Sequence, residues 1–237
     1  MATLEHRLRD VHARIDSACI QAGRPRSAVQ LLCVSKTQPA DAVRAALAAG
    51  EHHFGENYVQ EALDKMAALA DLRANLVWHL IGPLQSNKTR VVAEQFDWVH
   101  SVDRLKIAER LSAQRPSHLP PLQVCLQLNV SGEASKSGVA LAELPELARA
   151  VAALPGLRLR GLMSIPEPAA DLESQRRPHH VLAQALSDLR DGGLALDTLS
   201  MGMSADLEAA VLEGSSWVRI GSAVFGARPA KQTMDAQ

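Results

Sequence analysis

Residues 29–70 read VQLLCVSKTQPADAVRAALAAGEHHFGENYVQEALDKMAALA. Two short apolar runs alternate here with two stretches in which apolar residues recur every three or four positions. This pattern predicts a strand at 29–35, a helix at 39–49, a strand at 52–55 and a helix at 58–70. Strands that alternate with helices at this spacing are typical of a parallel sheet with crossover helices.

The same alternation continues as far as residue 225. Six further strands are predicted at residues 76–81, 97–102, 122–130, 157–165, 198–201 and 217–225. The helices between them are predicted at residues 86–94, 104–114, 141–153, 181–190 and 205–213. Eight such units without a break in composition predict an α/β fold, a single closed (β/α)8 barrel of the TIM type. An open Rossmann-like sheet is the alternative, although no GxGxxG sequence opens any of the predicted helices.

We assign the whole chain, residues 1–237, to this one barrel domain. Apolar residues at helical spacing predict an extra amphipathic helix at residues 2–22, within an N-terminal segment of residues 1–25. No helix is predicted after the eighth strand, where a tail of residues 227–237 follows. We therefore expect the N-terminal helix to cover the barrel at that gap.

The composition is that of a globular protein. Hydrophobic residues make up 47% and charged residues 22% of the 237 residues, which excludes a disordered chain and a disulfide-stapled miniprotein. The 25 Lys and Arg residues balance 26 Asp and Glu residues, so no strong field would attract nucleic acid or a membrane surface. The sequence shows neither a signal peptide nor an 18-residue apolar run, and its three cysteines form no metal-ligand pattern. We expect a cytoplasmic protein without nucleic-acid, membrane or metal partners.

Polar residues follow nearly every predicted strand. In a barrel of this type the functional side chains lie at the carboxyl ends of the strands, so we expect these residues at one mouth. They include Ser35-Lys36-Thr37, Gly55-Glu56-Asn57, His79, His100-Ser101, Asn129, Met163-Ser164, Ser200 to Ser204, Arg219 and Gly221-Ser222.

Lys36 is the lysine best placed for chemistry. It follows an apolar run, and burial would lower the pKa of its amine because burial disfavours the charged form. An uncharged amine can attack an aldehyde, as a Schiff-base lysine must. A lysine that caps the barrel through an ion pair is the alternative. We interpret Lys136 as a mobile surface charge, and the remaining lysines as solvated: Lys65, Lys88, Lys106 and Lys231.

Two segments can bind an anion. Residues 200–204 lead into the helix predicted at 205–213, and Gly221-Ser222 follow the eighth strand, so both offer hydroxyl and backbone N–H groups. The loops after strands seven and eight are the usual phosphate site of this barrel. Ser204 also fits the N-cap of the helix, and the two roles are compatible. A Schiff-base lysine opposite a phosphate site indicates either a pyridoxal phosphate site or a phosphosugar aldolase.

Several segments, taken together, resemble the pyridoxal phosphate homeostasis proteins. They are VSKTQP at 34–39, FGENYVQE at 54–61, HLIGPLQSNK at 79–88, residues 129–138, GLM at 161–163, SMGMSADLE at 200–208 and VRIGSAVFG at 218–226. Ser222 stands where the family usually has Thr, and it keeps the hydroxyl. The sequence Arg177-Pro178-His179-His180 replaces an aromatic that is common early in the sixth helix, and we expect both histidines to be exposed.

The resemblance implies a fold-type III barrel like the N-terminal domain of alanine racemase, with pyridoxal 5′-phosphate carried on Lys36 as an internal aldimine. Arg219 would face the pyridine nitrogen, Asn57 and Met163 would flank the ring, and the Ser and Gly residues would surround the phosphate. The implied cofactor-binding residues are Lys36, Asn57, Met163, Ser200, Ser204, Arg219, Gly221 and Ser222.

The resemblance also implies a non-enzymatic role in the homeostasis and supply of the cofactor, with indirect effects on amino-acid metabolism. Racemases of this barrel use a tyrosine from a separate C-terminal β-domain as a second base, whereas the only tyrosine here is Tyr58. A weak racemase or other pyridoxal phosphate enzyme is one alternative. A cofactor-free aldolase with Glu56 as proton shuttle is another. The implied partners are the cofactor and pyridoxal phosphate-dependent apoenzymes, and we expect a monomer because the β-domain of the dimeric racemases has no counterpart.

Overall fold

Eight parallel strands form a closed barrel in the computed structural model, which describes residues 2–131 and 137–226. Each strand pairs with the next, and β8 pairs with β1, where Gln30 lies opposite Trp217. The strands are β1 (Gln30–Val34), β2 (His53–Glu56), β3 (Val77–Leu80), β4 (Trp98–Val102), β5 (Leu122–Gln127), β6 (Leu157–Met163), β7 (Thr198–Ser200) and β8 (Trp217–Ile220). The predicted barrel is confirmed, and the open sheet is excluded.

Helices cover the outside of the barrel. They are α1 (Leu4–Gln21), α2 (Ala40–Ala48), α3 (Val59–Ala68), α4 (Thr89–Gln95), α5 (Leu105–Gln114), α6 (Leu144–Ala152), α7 (Leu172–Asp191), α8 (Leu207–Leu212) and α9 (Ser222–Phe225). The layer between strands and helices is filled mainly by Leu, Val and Ala side chains, because large aromatic residues make up only 3% of the sequence. No helix among the described residues is long and apolar enough to cross a bilayer.

Among the predicted boundaries that differ from the structure, three bear on the site and its supports. Helix α7 begins at Leu172, nine residues earlier than expected, because Asp171 caps it by accepting the Ser174 N–H at 2.8 Å and Pro178 lies inside the helix. Helix α8 begins at Leu207, so Ser204 is not its N-cap. The eighth strand ends at Ile220, and the apolar residues after Gly221 form the short helix α9 instead of more strand, so the prediction that no helix follows this strand is also wrong.

Helix α1 covers the barrel beside α8 and α9, as expected from the short segment after β8. Thr3 caps the helix by accepting the His6 N–H, and one face buries Leu8, Val11, Ile15, Ala18 and Cys19. Arg7 Nε donates to the Val224 carbonyl oxygen at 2.7 Å, which ties the helix to α9. The N-terminal helix is therefore part of the barrel wall.

Aromatic rings close the amino-terminal end of the barrel. Trp98 and Trp217, the first residues of β4 and β8, lie with ring centroids 6.0 Å apart. His79 stacks on Trp98 with an interplanar angle of 13°, and the Arg160 guanidinium lies 4.9 Å from the centre of the Trp98 ring. The opposite, carboxyl-terminal end of the strands is where a cavity opens.

Candidate functional site

A cavity of about 320 Å³ lies at the carboxyl ends of the strands, within the size range of small-molecule sites. Six of the eight residues implied by the resemblance line it: Lys36, Asn57, Ser204, Arg219, Gly221 and Ser222. They come from the first, second, seventh and eighth strands and the segments that follow them. The expected convergence of these segments on one mouth is therefore observed for six positions. It is wrong for His79, which is fully buried and stacks on Trp98 inside the barrel.

Met163 and Ser200 lie outside the cavity lining. Both are fully buried. Met163 packs with Trp98 and Cys125 inside the barrel, and Ser200 Oγ contacts His100 Nδ1 and Arg219 Nη1. Ser200 thus contacts the cavity through the arginine.

Lys36 is half-buried at the end of β1, in a turn with unusual backbone geometry. The next residue, Thr37, has φ = 63°, in the left-handed region that a β-branched residue rarely adopts. Its backbone N–H donates to Glu61 Oε1 at 2.5 Å. Conformations of this kind persist only where the surroundings over-determine them, so helix α3 helps to fix the Lys36 turn.

Lys65, predicted to be solvated, is buried, with only 6% of its side chain exposed. Its ammonium group lies 2.7 Å from Glu56 Oε1 and 2.6 Å from Glu61 Oε1, and it donates to the Ser35 carbonyl oxygen at 2.6 Å. Burial raises the pKa of Glu56, and Lys65 opposes that shift. The local feature of the sequence that indicates this ion pair is the spacing of Glu61 and Lys65, which lie four residues apart on a helix.

Asn57 offers a buried acceptor to the cavity. Its Oδ1 has no hydrogen-bond partner among the residues that the structure describes, and a buried polar atom of this kind costs free energy unless something donates to it. The Asn57 backbone packs against Gly82, where an added Cβ would lie 2.2 Å from the Asn57 carbonyl oxygen. The absence of a side chain at Gly82 therefore allows the Asn57 backbone to lie in its observed position.

Arg219 is buried but keeps donors available to a ligand. Nη1 donates to the carbonyl and hydroxyl oxygens of Ser200, and Nη2 donates to the Ser164 carbonyl oxygen at 2.8 Å. Burial lowers the pKa of Arg219 to about 10. Because this value is still well above 7, the side chain stays charged at neutral pH. Guanidinium has five N–H groups, and within residues 2–131 and 137–226 those bonds leave two of them without an acceptor.

The segment 200–204 is held from three sides. Gly202 adopts φ = 94°, which favours glycine. Asp206 Oδ1 accepts the Met203 N–H at 2.7 Å, while its Oδ2 lies 2.9 Å from His179 Nε2. Arg14 of helix α1 donates to the Ser204 carbonyl oxygen at 3.0 Å. The loop is therefore preorganised.

His179 corrects the expectation that both histidines of α7 are exposed. It is fully buried against Asp206, and His180 alone is exposed. Burial alone would raise the pKa of Asp206, but the bonds from His179 and the Met203 N–H outweigh it and lower the pKa. Sequence reasoning missed this pair because 27 residues separate its members. Lys136 and the tail at 227–237, including Lys231, lie outside the described residues.

Ser222 begins the short helix α9 at the cavity edge and is exposed. The first N–H groups of a helix have no partner within it, so backbone donors accompany the Ser222 hydroxyl at this position. Gly221 packs on β1, with its added Cβ only 3.2 Å from the Val34 carbonyl oxygen. Lys36 also follows β1, so the two polar ends of the cavity are built on one pair of adjacent strands.

Comparison with known proteins agrees with this geometry. Residues 8–229 match the model of the family described as "Alanine racemase, N-terminal domain". The chain is 63% identical over 228 residues to the pyridoxal phosphate homeostasis protein of Pseudomonas aeruginosa, covering 96% of this chain and 97% of that one. It is 53% identical over 229 residues to the protein of the same name from Escherichia coli, covering 96% of this chain and 98% of that one.

The chain belongs to the pyridoxal phosphate homeostasis proteins, within the alanine racemase N-terminal domain family.

The chain is also similar to solved structures. PipY of Synechococcus elongatus PCC7942 with PLP bound has a TM-score of 0.81 and 38% identity, with 94% of this chain and 100% of that chain covered. Alanine racemase from Corynebacterium glutamicum has a TM-score of 0.66 and 19% identity, with 94% of this chain but 62% of that chain covered. The racemase shows a shared fold, and the membership predicted from the motifs is confirmed.

Proposed function

We propose that this protein binds pyridoxal 5′-phosphate in the cavity and takes part in the intracellular homeostasis and supply of that cofactor, without catalysing a reaction of its own. One observation carries the proposal. The closed barrel brings an amine, Lys36, into the same cavity as a cation, Arg219, and a hydroxyl-bearing helix start, Ser222. The names of the homeostasis relatives and the PLP bound in the PipY structure support it.

Each polar group of the cavity suits one part of the cofactor. The Lys36 amine would form a carbon–nitrogen double bond with the aldehyde carbon and release one water molecule, a step that hydrolysis reverses. Arg219 would donate a hydrogen bond to the pyridine nitrogen with an N–H group that has no acceptor in the described protein. Asn57 Oδ1 would accept a hydrogen bond from the ring's phenolic hydroxyl.

The phosphate would lie at the edge formed by Ser204, Gly221 and Ser222. Hydroxyl groups and the first backbone N–H groups of a helix favour an anion. The positive charge of Arg219 in the same cavity adds to that preference. Ser200 would act indirectly, by accepting a hydrogen bond from Arg219. Met163 would support the cavity floor from inside the barrel.

The ionisable groups of the cavity support a binding role. When bound, the cofactor supplies an electron-accepting ring, most strongly when its nitrogen is protonated. Arg219 keeps its proton and therefore favours an unprotonated nitrogen, a feature that by itself does not separate a carrier from a racemase of this barrel. In the described lining, Lys36 and Arg219 are the ionisable side chains, whereas a two-base racemase needs a second proton carrier. Tyr58 is 59% exposed and is not part of that lining.

The aldolase alternative loses its candidate acid. Glu56 is fully buried, and its Oε1 accepts bonds from the Ser35 hydroxyl at 2.6 Å and from Lys65 at 2.7 Å. It is not part of the described cavity lining, and its partner Lys65 donates to the carbonyl oxygen of Ser35, the residue before Lys36.

We further propose a monomer in the cytoplasm, with pyridoxal phosphate-dependent apoenzymes as the recipients of the cofactor. The three cysteines are free and buried, and thiols stay reduced in that compartment.

The experiment is a loading test. Purified protein incubated with pyridoxal 5′-phosphate should turn yellow, should lose that colour on borohydride reduction, and should then carry the added mass on the peptide that contains Lys36. Lys36→Ala should remain colourless, while Lys106→Ala, an exposed lysine on α5, should behave as wild type. A colourless wild-type protein, or label on another lysine, would overturn the proposal.

A second measurement separates binding from catalysis. Loaded protein is incubated with each amino acid in deuterated water, and the exchange of the Cα hydrogen is followed by mass spectrometry. We expect no exchange above that of free cofactor. Exchange at turnover rates would assign the protein to the enzymes.

A further inference from the structure

Five polar side chains form one hydrogen-bonded chain through the interior of the barrel. From the cavity downward they are Arg219, Ser200, His100, His79 and His53. The successive distances are 2.9 Å from Arg219 Nη1 to Ser200 Oγ, 2.7 Å to His100 Nδ1, 2.9 Å from His100 Nε2 to His79 Nδ1, and 3.0 Å from His79 Nε2 to His53 Nδ1. The chain runs from the cavity to His53 at the amino-terminal end of β2.

The direction of these bonds follows from the arginine. A guanidinium group only donates, so Ser200 Oγ accepts from Arg219. Among the described residues, the Ser200 hydroxyl has one other hydrogen-bond partner, His100 Nδ1. A buried hydroxyl hydrogen without an acceptor costs free energy, so we assign the Ser200 hydroxyl as the donor to His100 Nδ1. The neutral His100 ring then carries its proton on Nε2 and donates to His79.

The same reasoning fixes the next two rings. His79 accepts at Nδ1, so it carries its proton on Nε2 and donates to His53 Nδ1. All three histidines are therefore assigned the Nε2–H form. Burial keeps the inner rings neutral: it lowers the pKa of His100 to about 3, with the charge of Arg219 acting in the same direction, and it lowers the pKa of His79 well below its ordinary value.

Packing prevents the rings from turning. His79 stacks on Trp98 with ring centroids 5.4 Å apart, and His53 meets the Trp217 ring edge-on at 4.7 Å. Branched apolar side chains usually fill the interior of such barrels. Here a buried series of hydrogen-bonded polar side chains takes their place. It ends on Arg219 in the cavity lining and orients that guanidinium group.

We propose that His100 and His79 are positioning residues for Arg219, and through it for the ring of the bound cofactor. This inference rests on the proposed function. The histidines hold the Ser200 hydroxyl as an acceptor, and Ser200 together with the Ser164 carbonyl oxygen then holds the guanidinium group. The two N–H groups that remain are left for the ligand.

The first test needs no cofactor and no variant. The imidazole nitrogens of histidine-labelled protein are observed by NMR at neutral pH. The expected result is a neutral Nε2–H form for His53, His79 and His100. A proton on Nδ1 of His79 or His100, or a charged ring at either position, would overturn the assignment.

The second test compares two substitutions of His100 by their affinity for pyridoxal 5′-phosphate. In His100→Asn, the side-chain Oδ1 can still accept from Ser200, whereas His100→Leu cannot accept at all. We expect about tenfold weaker binding for the leucine variant and less than threefold for the asparagine variant, since tenfold corresponds to about 1.4 kcal/mol.

Equal weakening in both variants would reduce His100 to a packing residue, and wild-type affinity in the leucine variant would remove its role altogether. If the leucine variant does not fold, Ser200→Ala takes its place, with the same tenfold loss expected. A wild-type protein that binds no cofactor would refute the proposed function. The NMR result would still decide the direction of the hydrogen bonds between Ser200 and His53.

Discussion

Lys65 Nζ, on helix α3, lies 2.6 Å from the carbonyl oxygen of Ser35, the residue before Lys36. The same nitrogen pairs with Glu56 and Glu61, and Glu61 accepts the N–H of Thr37. Both neighbours of Lys36 are thus held by one ionic cluster around the buried Lys65, so the rigidity of the amine's position depends on a lysine that does not line the cavity.

Replacing Lys65 tests this cluster. Lys65→Met keeps the length of the side chain but leaves the fully buried Glu56 without its cation, and removing one partner of a buried pair typically costs about 3–5 kcal/mol. Urea denaturation at pH 7 should show a loss of this size. The double variant Lys65→Met with Glu56→Gln removes both charges and should recover most of it. A loss below 1 kcal/mol in the single variant would show that the cluster is not important for stability.

Acid should destabilise the protein through His100. Its pKa is about 3 in the folded chain, against an ordinary value of 6.5, because of burial. The contribution of this ring to stability is therefore complete above pH 6.5 and is lost as the pH falls toward 3, since the unfolded chain binds a proton that the folded chain refuses. Between pH 6.5 and 5 we expect a loss of about 2 kcal/mol from this ring alone, at 1.36 kcal/mol per pH unit.

His79 acts in the same direction, because burial lowers its pKa as well. Glu56 has the opposite sign: burial raises its pKa, so its contribution is present at low pH and is lost as the pH rises above its ordinary value of 4.5. Urea denaturation at pH 7, 6 and 5 separates these groups. His100→Asn has no titrating ring at position 100 and should show a shallower acid dependence; an unchanged slope would contradict the assignment.

Negative charge at Ser222 should repel the phosphate. Ser222→Ala removes one hydrogen bond to a charged group, worth about 1.5–3 kcal/mol, and should weaken binding of pyridoxal 5′-phosphate by at least tenfold. Ser222→Asp adds a carboxylate at the same position and should weaken it further. Affinity is measured by absorbance titration, with Ser187→Asp on the exposed face of α7 as the charge-matched control. Equal affinities for Ser222→Asp and the control would place the phosphate elsewhere.

Gly82→Ala should distort the site by a purely steric effect. The added Cβ would lie 2.2 Å from the Asn57 carbonyl oxygen, and neither backbone can yield without moving the end of β2. We expect a loss of about 3 kcal/mol in the free energy of unfolding together with weaker cofactor binding. Gly50→Ala introduces the same methyl group where space is open but φ is 99°, so its cost is the backbone strain of a left-handed alanine, about 1–2 kcal/mol.

The sequence was sufficient for the barrel and for most of the cavity. Lys36 and Arg219 could be placed because a polar residue within or after an apolar strand faces a predictable end of the barrel. The segment around Ser222 is predicted from the sequence to be an anion site, which stays a prediction, and its apolar residues are predicted as strand, which is wrong. Those four residues form a helix because Gly221 ends the strand in a turn.

The supporting residues could not be predicted in the same way. Lys65 lies on a helix whose pattern predicts an exposed lysine, and its burial depends on Glu56 and Ser35, which are local in space but come from two other elements. His179 is buried because Asp206 lies opposite it in the fold, 27 residues away. Pairings between elements carry no periodic signal, so a single sequence does not reveal them.

Strands β1 and β8 are neighbours in the barrel, and the cavity is built across that seam, with Lys36 on one side and Ser222 on the other. During synthesis the amine therefore leaves the ribosome long before the groups that face it. If the cofactor binds as proposed, a nascent chain cannot hold it at both ends until β8 has emerged and the ring of strands has closed, so its capture would report that folding is complete.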